Sequence, residues 1–210
     1  MTNREFASLW LCFKRSVADS REYLNALDAA IGDADHGTNL QRGLDKVAAE
    51  RAAWGELTLD ASCQRIAMTL LSTVGGASGA LWGSGLLKSA AVLPNALWCD
   101  EATVAAAIGR FVGSVAERGK AVIGDKTMLD VFLPALHELE AGLARGQPFS
   151  QVVRQIAADA GNWARDTAAL QAKRGRAAYL GPRSVGHIDP GAWSSALWWR
   201  CLADSAGGGS

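Results

Sequence analysis

Residues 6–39 read FASLWLCFKRSVADSREYLNALDAAIGDADHGTN. Phe6, Trp10, Phe13, Val17, Leu24 and Leu27 recur at spacings of three, four or seven, so most of them lie on one face of a helix. That rhythm stops at a turn holding Asp28, Asp33 and Asp35 within eight positions, where Gly32 and Gly37 permit a tight reversal. A long amphipathic helix, an acidic turn and a second helix starting near Thr38 make up this opening unit. Since β-branched alternation is scarce elsewhere, the unit points to an all-α fold.

Working outward, the second helix is expected over 38–53 and a third from the cap Asp60 to Ser72. A fourth follows Gly75-Gly-Ala-Ser-Gly79 and ends before Pro94. A fifth spans 102–118, with Ile108, Phe111, Val112 and Val115 apolar. Asp125 is placed as the cap of a sixth that reaches Leu143, kinked at Pro134. A seventh runs over 148–171. The eighth opens at Asp189-Pro190, a capping residue followed by proline at the first helical position, and carries Trp193, Trp198 and Trp199 as anchors or partner contacts. Between the last two lies a long basic loop, 172–188, with several glycines. One domain is therefore expected over 1–204, with a disordered tail over 205–210.

Composition narrows the function classes. Twenty-one basic and twenty-one acidic side chains give zero formal charge, which argues against a nucleic-acid partner. Cys12, Cys63, Cys99 and Cys201 form no close pair in sequence and read as reduced thiols. The start lacks a leader's apolar run. Residues 66–87 are uncharged and long enough to cross a bilayer, but five glycines and several hydroxyl side chains interrupt them, so no membrane span is expected. These readings place the chain in the cytoplasm.

Four segments carry chemistry. Three carboxylates at one helix junction repel one another unless a cation joins them; magnesium suits such a set because it completes its shell with water and phosphate oxygens. The competing reading is helix caps and turn formers. An EF-hand does not fit, because Thr38 and Leu44 stand where its glycine and glutamate belong. The amides of Gly75–Gly83 at the start of the fourth helix can face a phosphate; equally, glycines four apart permit close helix packing. Residues 119–130, GKAVIGDKTMLD, read as a loop and a helix start. Residues 173–191, KRGRAAYLGPRSVGHIDPG, put arginines on a glycine-bearing loop that can close over phosphates, or that is simply solvated.

Together and in this order, the motifs G-D-A-D-H-G-T-N, G-G-A-S-G, G-D-K-T-M-x-D and G-R-A-x-Y-L-G-x-R-S-x-G-H-x-D-P-G resemble the nucleotide-binding L subunit of dihydroxyacetone kinases, over residues 5–204. The resemblance implies an eight-helix antiparallel up-and-down barrel with the nucleotide site at one end. It implies that Asp28, Asp33 and Asp35 hold two Mg2+ ions, with His36, Gly37, Thr38 and Asn39 contacting ADP or ATP beside them. Ala77 and Ser78 match the glycine-rich phosphate contact. Gly119 and Met128 match positions flanking the adenine, and Arg176 with Asp189, Pro190 and Gly191 match the closing loop and the helix it precedes.

The implied reaction is direct phosphoryl transfer to a short-chain sugar held on a sugar-binding partner subunit. ADP is either a retained cofactor recharged by a phosphotransferase-system protein, or ATP exchanges freely. A homodimer is compatible with these motifs. The competing functions are a stand-alone metal-dependent phosphatase or nucleotide hydrolase, and a non-catalytic nucleotide sensor.

Overall fold

The computed structural model describes residues 1–50 and 57–207. The expected helical residues 51–53 and the tail residues 208–210 lie outside them. Among the described residues there are nine α-helices and no strand: α1 (Asn3–Asp19), α2 (Arg21–Ile31), α3 (His36–Ala49), α4 (Leu59–Thr73), α5 (Gly76–Ala90), α6 (Glu101–Gly119), α7 (Leu129–Ala144), α8 (Phe149–Asp166) and α9 (Pro190–Ala206).

Local chemistry accounts for several of the boundaries. Thr2 and Glu5 form a reciprocal capping box at the start of α1. Asp100 caps α6 by accepting from Thr103 N, and Asp189 caps α9 by accepting from Ala192 N at 2.7 Å, with Pro190 in the first turn. The expected single first helix is two. Ser20 departs from helical geometry (φ −100°, ψ 6°) and separates α1 from α2, a break that apolar spacing alone does not reveal.

Two other assigned caps are corrected. Thr58, not Asp60, precedes α4, and Asp60 accepts from the Thr58 hydroxyl at 2.5 Å. Asp125 does not cap α7. The Asp130 carboxylate instead accepts from Gly124 N (2.5 Å) and Thr127 N (2.7 Å), so the loop is held from inside the helix. The expected seventh helix ends at Asp166 and gives way to a 3₁₀ turn, Thr167–Ala169. The last helix continues to Ala206, past the point where the tail was placed.

Packing follows a ring. α1 lies on α3, each helix from α3 to α8 lies on the next, and α9 packs on both α8 and α1, closing an eight-membered barrel with α2 tucked against α3 and α9. The ring's core is aromatic: Trp10, Phe13, Trp82, Phe111, Phe132, Trp198 and Trp199 form a continuous cluster, each ring centroid 5.0–6.3 Å from a neighbour. Trp198 and Trp199 are therefore anchors, and Trp193 rests on Tyr23. In α5 the glycines serve packing: a Cβ on Gly83 would strike Leu71, and one on Gly85 would strike Phe111.

The cysteine reading is also corrected. Cys12 and Cys201, 189 positions apart, form a disulfide between α1 and α9, with Cα atoms 5.5 Å apart. Sequence spacing excludes neighbouring pairs only, whereas ring closure brings the first and last helices together. Cys63 and Cys99 are free and buried. No helix among the described residues is long and apolar enough to cross a membrane; residues 66–87 are divided between α4 and α5 at the extended residues Val74 and Gly75.

Candidate functional site

The acidic turn lies between α2 and α3. Asp28 is in the last turn of α2 and is 9% exposed. Its Oδ2 accepts from Asp35 N (2.9 Å) and His36 N (3.2 Å), so this carboxylate caps α3 from the preceding helix. That duty frees Asp35, which occupies the cap position but makes no capping bond with its side chain. Ala34 takes a left-handed backbone (φ 63°), which tightens the turn. One carboxylate oxygen from each of Asp28, Asp33 and Asp35 lies within 4.8 Å of the others. The cap reading thus holds for Asp28, while the side chains of Asp33 and Asp35 make no capping bond. Three oxygens so close, one of them largely buried, fit a divalent cation.

His36 joins this turn to two other helices. Its Nε2 is 3.1 Å from Ser194 Oγ on α9, and its Nδ1 is 3.4 Å from Ser78 Oγ in the first turn of α5. Burial pushes its pKa below the usual histidine range, against the pull of Asp28 and Asp35, so the neutral ring is favoured. Thr38 is engaged with Asn25 through both its hydroxyl (2.8 Å) and its backbone N–H (3.1 Å). Asn39 accepts from Arg42 at 2.7 Å and lies beside Gly75.

Gly191 on α9 approaches Met128, the residue before α7, and Gly119 ends α6 beside Leu81 of α5. The N-termini of α3, α5, α7 and α9 consequently gather at one end of the barrel. The helix dipoles directed at that end make it attractive to an anion.

Over this end folds the basic loop. It is not structureless: residues Arg176–Ser184 form 3₁₀ turns, and Ala172, Ala177 and Leu180 pack on Ile31 at the end of α2, giving the loop a small core of its own. Arg176 pairs with Asp33 at 2.8 Å. Asp189, half-buried at the foot of the loop, has its carboxyl pushed up to about 7 by desolvation; the Ala192 N–H and the Lys126 ammonium oppose that rise.

The structure therefore brings together Asp28, Asp33, Asp35, His36, Ser78 and Arg176 by direct contact, and Met128 with Gly191. Ser194, Asn25 and Arg42 were missed by sequence reasoning. Each touches a site residue from a neighbouring turn or helix, and none belongs to a recognisable motif.

An all-helical module whose one end combines four helix N-termini, a carboxylate trio and a basic loop is suited to a phosphate-bearing ligand with a divalent cation. The chain belongs to the DAK2 domain family, whose model matches residues 30–204. It is 36% identical to the PTS-dependent dihydroxyacetone kinase, ADP-binding subunit DhaL of Lactococcus lactis subsp. lactis, covering 91% of this chain and 92% of that one. It is 38% identical to the PEP-dependent dihydroxyacetone kinase, ADP-binding subunit DhaL of Escherichia coli, covering 88% of each. Among solved structures, the dihydroxyacetone kinase of C. freundii in complex with AMP-PNP and Mg2+ superposes with a TM-score of 0.73 at 25% identity, over 95% of this chain. The chain spans about a third (33%) of that kinase.

Proposed function

We propose that this chain is the nucleotide-binding, phosphoryl-donating subunit of a kinase for dihydroxyacetone or a related short-chain sugar, acting with a sugar-binding partner subunit. The observation that carries the reading is the meeting of Asp28, Asp33 and Asp35 within 4.8 Å at the end of the barrel where the helix N-termini converge. The three aspartates are assigned as ligands of two Mg2+ ions. A bound divalent cation supplies charge neutralisation for phosphate oxygens.

The chain's own groups do the rest. The amides at the start of α5, around Ala77 and Ser78, receive phosphate oxygens along the dipole of α5, and His36, Gly37, Thr38 and Asn39 line the nucleotide beside the start of α3. Neutral His36 holds those two helix starts and α9 in register through Ser78 and Ser194. Gly119 and Met128 line the base, and Gly191 leaves room beside Met128. The loop carrying Arg176 excludes water, which protects the transferable phosphoryl group from hydrolysis.

The two relatives are both named ADP-binding subunits of PTS- or PEP-dependent kinases, which favours ADP as a retained cofactor recharged by a phosphotransferase-system protein. Nucleotide analysis of the purified protein tests this. ADP surviving gel filtration and dialysis supports it, and ready loss favours free ATP exchange. Phosphorylation of dihydroxyacetone should require the sugar-binding subunit. Turnover by this chain with ATP and sugar alone, at rates typical of kinases, would refute the division of labour. Phosphate release without sugar would indicate a hydrolase, and binding without transfer, partner present, a sensor.

A further prediction concerns Gly32, where a Cβ would overlap the Asp28 carboxylate. Gly32→Ala is expected to weaken Mg2+ binding about ten- to a hundredfold, because displacing a ligand's support usually costs that much. Titration calorimetry reads it, and unchanged affinity would separate Asp28 from the cation.

A further inference from the structure

Lys126 is 1% exposed, and among the described residues it is the fully buried lysine of the core. Its backbone is left-handed (φ 62°), a conformation that lysine rarely adopts. Burial of an ammonium and an unfavourable backbone at one residue call for a compensating role. Its three N–H donors find three backbone carbonyls: Thr167 (2.6 Å), Leu170 (3.2 Å) and His187. The first two carbonyls leave α8 and begin the basic loop; the third ends it. The same neck is closed by Gly186 N donating to Ala168 O (2.8 Å) and Asp189 N donating to Thr167 Oγ1 (2.9 Å). The adjacent Asp125, itself buried, holds the outgoing segment: its carbonyl accepts from Lys173 N, and its carboxylate pairs with Lys173 (3.4 Å) and Arg174 (3.3 Å).

We propose that Lys126 is a positioning residue for nucleotide retention, clamping both feet of the loop so that Arg176 and the Asp189-Pro190-Gly191 start of α9 are held over the phosphates. The assignment of a ligand to that end rests on the function proposed above; the clamp itself rests on the three carbonyl contacts. A single ammonium between the two feet fixes the loop's base, while its middle rests on Ile31 and on the Arg176–Asp33 pair. Residue 126 thus governs how long a nucleotide stays without touching it.

The test uses the full chain, with Mg·ADP as the ligand. Lys126→Met keeps the length of the side chain and removes the charge and donors. Hydrogen exchange should accelerate at residues 171–188 and at the amides of Gly186 and Asp189, while α1, α4 and α6 keep wild-type protection. Mg·ADP dissociation should quicken about tenfold or more. In the double variant Lys126→Met with Arg176→Ala, dissociation should be little faster than in the more affected single variant, because both changes disable one loop. Multiplicative effects, or unchanged exchange in the loop, would overturn the proposal.

Lys126→Gln, which keeps two donors, is used if Lys126→Met does not fold. If neither folds, wild-type exchange decides: Gly186 and Asp189 amides must be protected to the level of α9, and exchange there as fast as at the loop tip rejects the clamp. A wild-type protein that binds no Mg·ADP rejects the proposed function instead, and the exchange experiment still judges Lys126.

Discussion

Asp33→Asn is expected to abolish magnesium-dependent sugar phosphorylation, with a loss of at least about a hundredfold, while leaving the fold intact. The size of the loss follows from removing one charged oxygen from a site whose work is electrostatic. The choice of Asp33 follows from its surroundings. Asp28 also caps α3, so replacing it would loosen the helix as well as the site. Asp33 is exposed and makes an ion pair with Arg176 alone among the ion pairs of the described residues. Exposed pairs contribute about 0–1 kcal/mol, so thermal stability should barely move. Transfer is measured with the sugar-binding subunit present, and Mg2+ titration with nucleotide is run beside it. Normal Mg2+-dependent transfer by Asp33→Asn would remove the carboxylate trio from the mechanism.

Arg176→Ala is expected to speed nucleotide release and lower transfer. Losing a charge-assisted hydrogen bond costs about 1.5–3 kcal/mol, or roughly ten- to a hundredfold in affinity. The structure shows where this guanidinium rests: on Asp33, 2.8 Å away, at the edge of the carboxylate trio. A phosphate arriving there offers it a second acceptor, and Arg183 lies on the same loop to share the load. Limited proteolysis of residues 172–188, with and without Mg·nucleotide, checks loop closure directly. Protection on binding is the expected result; equal cleavage in both states would leave Arg176 as a surface cation paired with Asp33.

Most of the architecture is legible because helical periodicity and caps are local. The apolar spacing of Phe6 to Leu27 and the Asp189-Pro190 start both correspond to helices. What fails is also physical. Ser20 breaks the first helix by backbone geometry that carries no apolar signature. Asp125 looks like a cap, yet Asp130, in the first turn of α7, collects the amides instead.

At the candidate site, the acidic turn announces itself through charge density. Ser194 and Lys126 do not, because their significance arises only when α9 and the loop between α6 and α7 meet other segments. The basic loop reads as flexible from its glycines, but Ala172, Ala177 and Leu180 give it an apolar footing on Ile31 that is too small to register as a pattern.

Closure of the ring by α9 has a consequence for synthesis of the chain. α1 leaves the ribosome well ahead of α9, with Phe6, Leu9, Trp10, Phe13 and Val17 needing cover, yet α9 is one of its two main neighbours in the barrel. Contacts so distant along the chain form late, and apolar faces that wait are prone to aggregate. Chaperone demand should therefore be concentrated before residue 190 appears. A chain cut between α8 and α9 should leave an open arc of helices rather than a weakened enzyme, since α9 carries Asp189–Gly191 at its head and Trp198 and Trp199 in the aromatic core.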